Sequence, residues 1–302
     1  MSPTDTVPAG VEEVVTTTPP VRPSTLLVRA LRLWRTRIGA SFGLLLVLVA
    51  ILGPYLAPHS PTDFVAIPNT PPGGAAGLLG TDYLGQDVLS RFLYGGRGIL
   101  VMAVVSTGIG LLVGVGIGLV AAYARNAWDD VLMRGMDVVM AFPEIMLALL
   151  AVSLVGPDPW VVIAAIAATT APRVARVARG SAQPVVERDF IEATEAMGVS
   201  RLRILTGELL PNILAPMMVE ASLRLTYSIG VISALAFLGL SSDPNGPNWG
   251  TMIQQNQIAL AVQPWGALMP ILAIALLTIG TGMFGDGIAR TAAGVDRGRA
   301  EG

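Results

Sequence analysis

The sequence predicts an all-α integral membrane protein of about six transmembrane helices with both termini on the inner side (N-in and C-in). Three observations carry this. Of the 302 residues, 53% are hydrophobic and only 13% charged, whereas soluble domains carry about 25% charged residues. The charges fall mainly between long apolar stretches, as expected where an unpaired charge in hydrocarbon is costly. The arginines then gather on one side of those stretches.

Taken in order, residues 1–25 are rich in Pro and Thr and have no apolar period, so a disordered cytoplasmic tail is expected. They do not read as a signal peptide, because the first apolar stretch is late and long. About 20 apolar residues cross a bilayer as a helix. Five stretches qualify and a sixth nearly does, at about residues 38–56, 99–122, 136–155, 160–174, 213–240 and 265–284. The second carries Gly110, Gly114 and Gly118 on one face, which suits close helix packing. The third contains Phe142-Pro143 and is expected to kink there, with Asp137 and Glu144 near the inner interface. The fourth is short and holds Pro172. It lengthens if the helix continues through Arg173, Arg176 and Arg179, their stems on apolar surface and their guanidinium groups at the headgroups. The fifth holds Glu220 and Arg224. These spans make a transmembrane domain at 26–290, followed by a cytoplasmic tail at 291–302.

Arginine placement orients the chain. With the N-terminus inside, Arg22, Arg29, Arg32, Arg35, Arg37, Arg125, Arg134, Arg173, Arg176, Arg179, Arg188, Arg201, Arg203, Arg290, Arg297 and Arg299 are inner, and only Arg91 and Arg97 lie in outer loops. Trp128, Trp160, Trp249 and Trp265 fall near span ends, as interfacial anchors do. Two outer segments (58–97 and 241–264) and one inner segment (175–212) are long enough to have roles.

Absences exclude whole function classes. There is no Lys and no Cys, and His59 is the single His, so P-loop nucleotide binding, Schiff-base chemistry and thiol chemistry have no residue to work with. Any ATP and Mg must act on another chain, no cofactor is expected in this one, and no metal site can rest on His59. The glycine string at 114–118 lies in an apolar span without a flanking strand, so it does not read as a nucleotide loop.

The inner segment 189–211, DFIEATEAMGVSRLRILTGELLP, reads as two short helices broken at Gly198. Asp189 and Ser200 are candidate N-caps, Gly198 the left-handed C-terminal residue and Pro211 the limit of the second helix. Phe190, Ala193 and Met197 make an apolar stripe beside Glu192 and Glu195, a pattern suited to docking into a partner's groove.

Glu192-Ala193-Thr194, then Gly198, then Leu210-Pro211 resembles the EAA loop of ABC importer permeases, with Thr194 in place of a second Ala and Glu208 in place of an Ile. The segment 80–91 (GTDYLGQDVLSR), Phe237-Leu238-Gly239-Leu240, Asn248-Trp249-Gly250 and Gly285-Asp286-Gly287 are similar to the C-type permease subunits of dipeptide, oligopeptide and nickel importers, over about residues 30–290. After Gly287 the tail departs from the family pattern. The resemblance implies a type I ABC importer permease fold in the bacterial inner membrane, without catalysis in this chain. It also implies a second homologous permease subunit, two ATPase subunits or domains, an extracytoplasmic substrate-binding protein and membrane lipid as partners, with no nucleic acid. Glu192, Ala193, Thr194, Gly198, Leu210 and Pro211 would form the element that couples the ATPases to the membrane helices. Outer loop 241–264 would face the binding protein.

Glu220 and Arg224, four residues apart with the acid first, share a helix face in the favourable order for an ion pair. Two readings stay open, a pair bordering a translocation path, where a zwitterionic peptide would meet both charges, and a pair that fixes packing. Import of nickel or another small solute, an ion-driven secondary transporter and an intramembrane hydrolase are the competing functions. Against the last two, no internal repeat and no nucleophile with a base at recognisable spacing is visible.

Overall fold

The computed structural model describes residues 23–124, 127–241, 243 and 246–293. Two short bridges apart (Phe64 with Gln86, Thr81 with Asp87), the regular structure in these residues is helical. It runs α1 (Pro23–Ala30), α2 (Trp34–Leu56), α3 (Val88–Ala124), α4 (Ala127–Met140), α5 (Glu144–Val155), α6 (Pro159–Val186), α7 (Asp189–Ala196), α8 (Arg201–Ile204), α9 (Leu210–Phe237), α10 (Trp249–Asn256) and α11 (Trp265–Ala292). Helix α1 begins inside the segment expected to be a tail, and α11 continues past Phe284. The rest of both tails, with Arg22, Arg125, Arg297 and Arg299, lies outside the described residues.

Five helices are long and apolar enough to cross a membrane, and the sixth crossing is made by α4 and α5 together, which meet at 78°. The expected third span is thus broken rather than kinked, because Pro143 lacks the N–H that would continue the helix and α5 starts afresh at Glu144. That the pair returns across the membrane follows from its neighbours. Gly110, Gly114 and Gly118 of α3 face Thr170, Val174 and Ala178 of α6 in the same sequence order. The two helices therefore run parallel, and the chain between them must cross back. A Cβ on any of these glycines would fall 2.5–2.8 Å from α6 atoms, so the helices approach as closely as hydrogen allows.

Other pairs are antiparallel. Thr226 of α9 meets Thr281 of α11 at 2.9 Å, while Gly39 of α2 packs on Gly280 and Thr36 on Gly287. Six crossings place α1, the α7–α8 segment and the end of α11 on one side, the side that holds the arginines. Toward the other side one apolar cluster joins Ile99, Val152, Ile166, Ile232, Leu235 and Trp249. Toward the arginine side a second joins Leu119, Val174, Val186, Ile191, Ile204 and Ile213. The long outward face of α2, with Leu44, Leu45, Leu48, Ile51 and Leu52 exposed, is what a lipid-facing surface requires.

The outer segments fold on each other. Gln263 donates from Nε2 to the carbonyl oxygens of Leu79 (2.5 Å) and Thr81 (3.3 Å), and Asn256 accepts from the N–H of Tyr83. Two expectations change here. Arg91 and Arg97 belong to the first turns of α3, and Arg91 is fully buried. Trp249 is no interfacial anchor: it is fully buried, stacked on Phe92 at 5.5 Å, and donates from Nε1 to the Phe92 carbonyl oxygen at 2.9 Å. Gly95 and Gly96 leave the room it occupies. Trp128, Trp160 and Trp265 do sit at helix starts. Within the outer loop 241–264, residues 249–256 form α10, and Ser242, Pro244 and Asn245 lie outside the described residues.

Candidate functional site

Two places combine exposed or charged side chains with a rigid support. The first is the inner segment α7–α8. Helix α7 follows α6 after only Glu187 and Arg188, and Arg188, not Asp189, occupies its N-cap position without a side-chain bond. Gly198 closes it with φ +75°, its N–H bonded to Glu195 O at 2.9 Å; only glycine takes this left-handed conformation without strain. Ser200 stands at the α8 N-cap through its carbonyl, which accepts from Arg203 and Ile204, rather than through its hydroxyl.

Pro211 does not end the second helix. Helix α8 continues through a π-helical turn, Leu205–Leu209, into α9, so that residues 201–237 form one rod. In the π turn the N–H of Leu210 bonds five residues back to Leu205 O, which fits the proline into the helix at its first turn. Ile191, Ile204 and Leu209 are buried against α3, α6 and α9. Phe190, Ala193 and Met197 instead present an exposed apolar stripe with Glu192 beside it. Thr194 bonds from its hydroxyl to Phe190 O at 2.7 Å, Leu210 is half-buried and Pro211 exposed. One face of α7 is thus locked to the bundle and the other is open.

The second place lies within the bundle. The arginines of α6 pair, in antiparallel order, with acids of the broken span: Arg179 with Asp129 at 2.6 Å, Arg176 with Asp137, and Arg173 with Glu144 at 3.5 Å. Glu144 is no interfacial acid; it is 8% exposed, and its Oε1 accepts from the Thr169 hydroxyl at 3.2 Å. Glu220 and Arg224 do meet, Oε1 to Nε at 2.7 Å. The guanidinium groups of Arg173 and Arg224 both approach the ring of Tyr227, at 5.8 and 6.0 Å. The result is a continuous row, Glu144, Arg173, Tyr227, Arg224, Glu220, with no net formal charge.

A cleft of about 510 Å³ opens on this row, lined by Glu144, Arg173, Thr226, Tyr227 and Gly230 with apolar neighbours. Glu220 and Arg224 stand behind Tyr227 rather than on its wall. Sequence reading named Glu144 and Arg173 separately, one as an acid near the interface and the other as an arginine reaching for headgroups, and did not pair them. The available signal was an acid directly after the Phe-Pro break and an arginine separated from it by one return of the chain. Elsewhere, His59 lies 3.7 Å from Asp87, and among the described residues no group of three or more His, Cys, Asp or Glu is placed to hold a metal.

A family described as binding-protein-dependent transport system inner membrane component matches residues 114–292. The di/tripeptide transport system permease protein DppC of Pseudomonas aeruginosa is 35% identical over 256 residues, covering 83% of this chain and 84% of that protein. The glutathione transport system permease protein GsiD of Pectobacterium atrosepticum is 34% identical over 248 residues, covering 82% of each. Among solved structures, a chain of the MetNI methionine ABC transporter in an inward-facing conformation shares the fold with a TM-score of 0.52 at 19% identity, covering 68% of this chain and 97% of that one.

Proposed function

This chain belongs to the family of binding-protein-dependent transport system inner membrane components, and from that membership we propose that it is one of two homologous permease subunits of an ATP-driven importer of short peptides. It is a multi-pass protein of the bacterial inner membrane and carries the type I importer permease fold. In this reading ATP and Mg act on two ATPase subunits or domains, and a binding protein delivers substrate to the outer face. The observation that carries the reading is α7, whose one face, Ile191, is buried while its other, with Phe190, Ala193 and Met197, is open on the arginine-bearing side. That is the shape of a plug for a groove on a cytoplasmic partner. The same helix joins α6 directly and α9 through α8, the two helices that carry Arg173 and Arg224, so closure of the partner would move the walls of the charged cleft.

The relatives named for dipeptide, tripeptide and glutathione transport favour a peptide substrate over nickel. The experiment is uptake into proteoliposomes containing the whole assembly and its binding protein. Radiolabelled dipeptide is expected to accumulate with ATP and not without it. ATP-dependent accumulation of nickel with no uptake of dipeptide would overturn the substrate assignment.

A further inference from the structure

Resting on the peptide-import reading, we propose that Glu144, Arg173 and Tyr227 form a mid-membrane station that holds the charged termini of a short zwitterionic peptide, the ammonium on Glu144 and the carboxylate on Arg173.

Depth is the first argument. Arg173 sits at the midpoint of the 28-residue α6, about 20 Å from either helix end at about 1.5 Å per residue, and Arg224 lies about 20 Å from the outer end of the 201–237 rod. Charges at that depth are excluded from lipid by their solvation energy and face protein or water. Arg173 is nevertheless a third exposed on its side chain and Tyr227 is half exposed, so this open wall belongs to a passage and not to the lipid boundary.

Chemistry is the second. Glu144 lines the cleft and is more than nine-tenths buried, and its Oε2, itself buried, makes no hydrogen bond. The Thr169 hydroxyl, shared with Ile166 O at 3.0 Å, lies 3.2 Å from the other oxygen, and Oε2 is turned toward Arg173 at 3.5 Å, longer than a charge-assisted hydrogen bond of about 2.8 Å. This contact neutralises the two charges in the empty state without satisfying them. A zwitterion inserted between them replaces one loose ion pair with two charge-assisted bonds, so exchange is favourable without leaving either group bare. An anion or a cation alone would satisfy one partner and strand the other. The Tyr227 ring, already within reach of two guanidinium groups, keeps Arg173 in place while its partner changes. Because the contacts are to the termini, peptides of different side chains are accepted alike, whereas blocked peptides are not.

The break at Phe142-Pro143 explains why the station sits where it does. Glu144 is the first residue of α5, so its carboxylate is fixed at the end of a helix that starts at the break in the span, facing Arg173 of α6. The parent chain has no Cys, and a Cβ at Gly230 meets no atom within 4 Å, so Gly230→Cys places a single reporter thiol on the cleft wall.

The test uses the complete assembly in proteoliposomes and reads the rate at which a water-soluble maleimide labels that thiol in the Gly230→Cys variant of this chain. Alanyl-alanine at millimolar concentration is expected to slow labelling about fivefold or more, while N-acetyl-alanyl-alanine and alanyl-alanine amide do little. With Glu144→Gln added, the advantage of the free peptide over the N-acetylated one should disappear, and with Arg173→Gln added, its advantage over the amide should disappear. Each loss corresponds to about tenfold in affinity, as expected for one charge-assisted contact. Copurification of the other subunits checks that both variants assemble. A pair that only fixes helix packing would lower labelling protection for all three ligands equally or disrupt the assembly, and either result would overturn the station. So would a reporter thiol that never labels, or free peptide that fails to protect it in an assembly that imports dipeptide; in that last case the import reading stands and the station falls. An assembly that imports no dipeptide under any condition counts against the import reading itself.

Discussion

Replacing Arg91 with Met is expected to destabilise the outer cap by about 3–5 kcal/mol, the cost of breaking a buried ion pair from one side. Arg91 and Asp82 are 0% and 1% exposed on their side chains and 2.7 Å apart. The same guanidinium reaches the side-chain oxygen of Gln86, and its Nη2 lies 3.5 Å from both Gly246 O and Gln255 Oε1. One side chain therefore ties the segment before α3 to the loop before α10. Removing it leaves a carboxylate that already accepts the N–H groups of Leu84 and Gln86 on its other oxygen and has no route to water. Adding Asp82→Asn to Arg91→Met removes the stranded charge and is expected to recover a substantial part of the loss. Thermal unfolding in detergent, with limited proteolysis to report on the cap, measures both. A single variant as stable as the parent would show that the network contributes no net stability.

Converting Phe190 and Met197 together to Asp is expected to abolish coupling while leaving the permease folded. Both side chains are exposed in this chain, at 38% and 75%, so the substitutions should change its own stability by about 0.5 kcal/mol or less. If the stripe docks in an ATPase groove, each lost apolar contact costs about 1.5–3 kcal/mol of association, before the added burial of carboxylate. Together that is roughly a hundredfold weaker capture or more. Copurification of the ATPase and binding-protein-stimulated hydrolysis report the loss. Ile191→Asp is the contrast: that residue is 1% exposed and should unfold the inner end of the bundle instead. Normal stimulation in the double variant would mean that α7 is not the docking element.

The six crossings, their orientation and the two short inner helices were legible because each follows from composition along the chain: apolar length, arginine asymmetry and a glycine where the inner helix must turn with positive φ. Gly110, Gly114 and Gly118 were legible as a close-packing face, and α6 is the helix they meet. Less legible were features that depend on partners distant in sequence. Trp249 reads as an anchor because it stands after a loop, and nothing local reveals that Gly95 and Gly96, far earlier in the chain, open a place for it. Arg91 reads as a loop residue until Asp82 and Gly246 are brought to it. The row from Glu144 to Glu220 draws on three helices, and only its i, i+4 member, Glu220 with Arg224, has a signature within one of them. Pro211 misled for a different reason, since a π turn can absorb a proline that an α-helix of the same sequence would end on.

The central claim, that this chain couples ATP hydrolysis on other subunits to the passage of peptide, is met most directly by ATP hydrolysis of the assembly copurified with it and reconstituted in lipid. Binding protein loaded with a dipeptide pool is expected to raise the hydrolysis rate severalfold above that with lipid alone, and the Phe190 and Met197 double variant is expected to lose that rise. An assembly from which no ATPase copurifies in mild detergent, or whose hydrolysis is indifferent to the loaded binding protein, would contradict it.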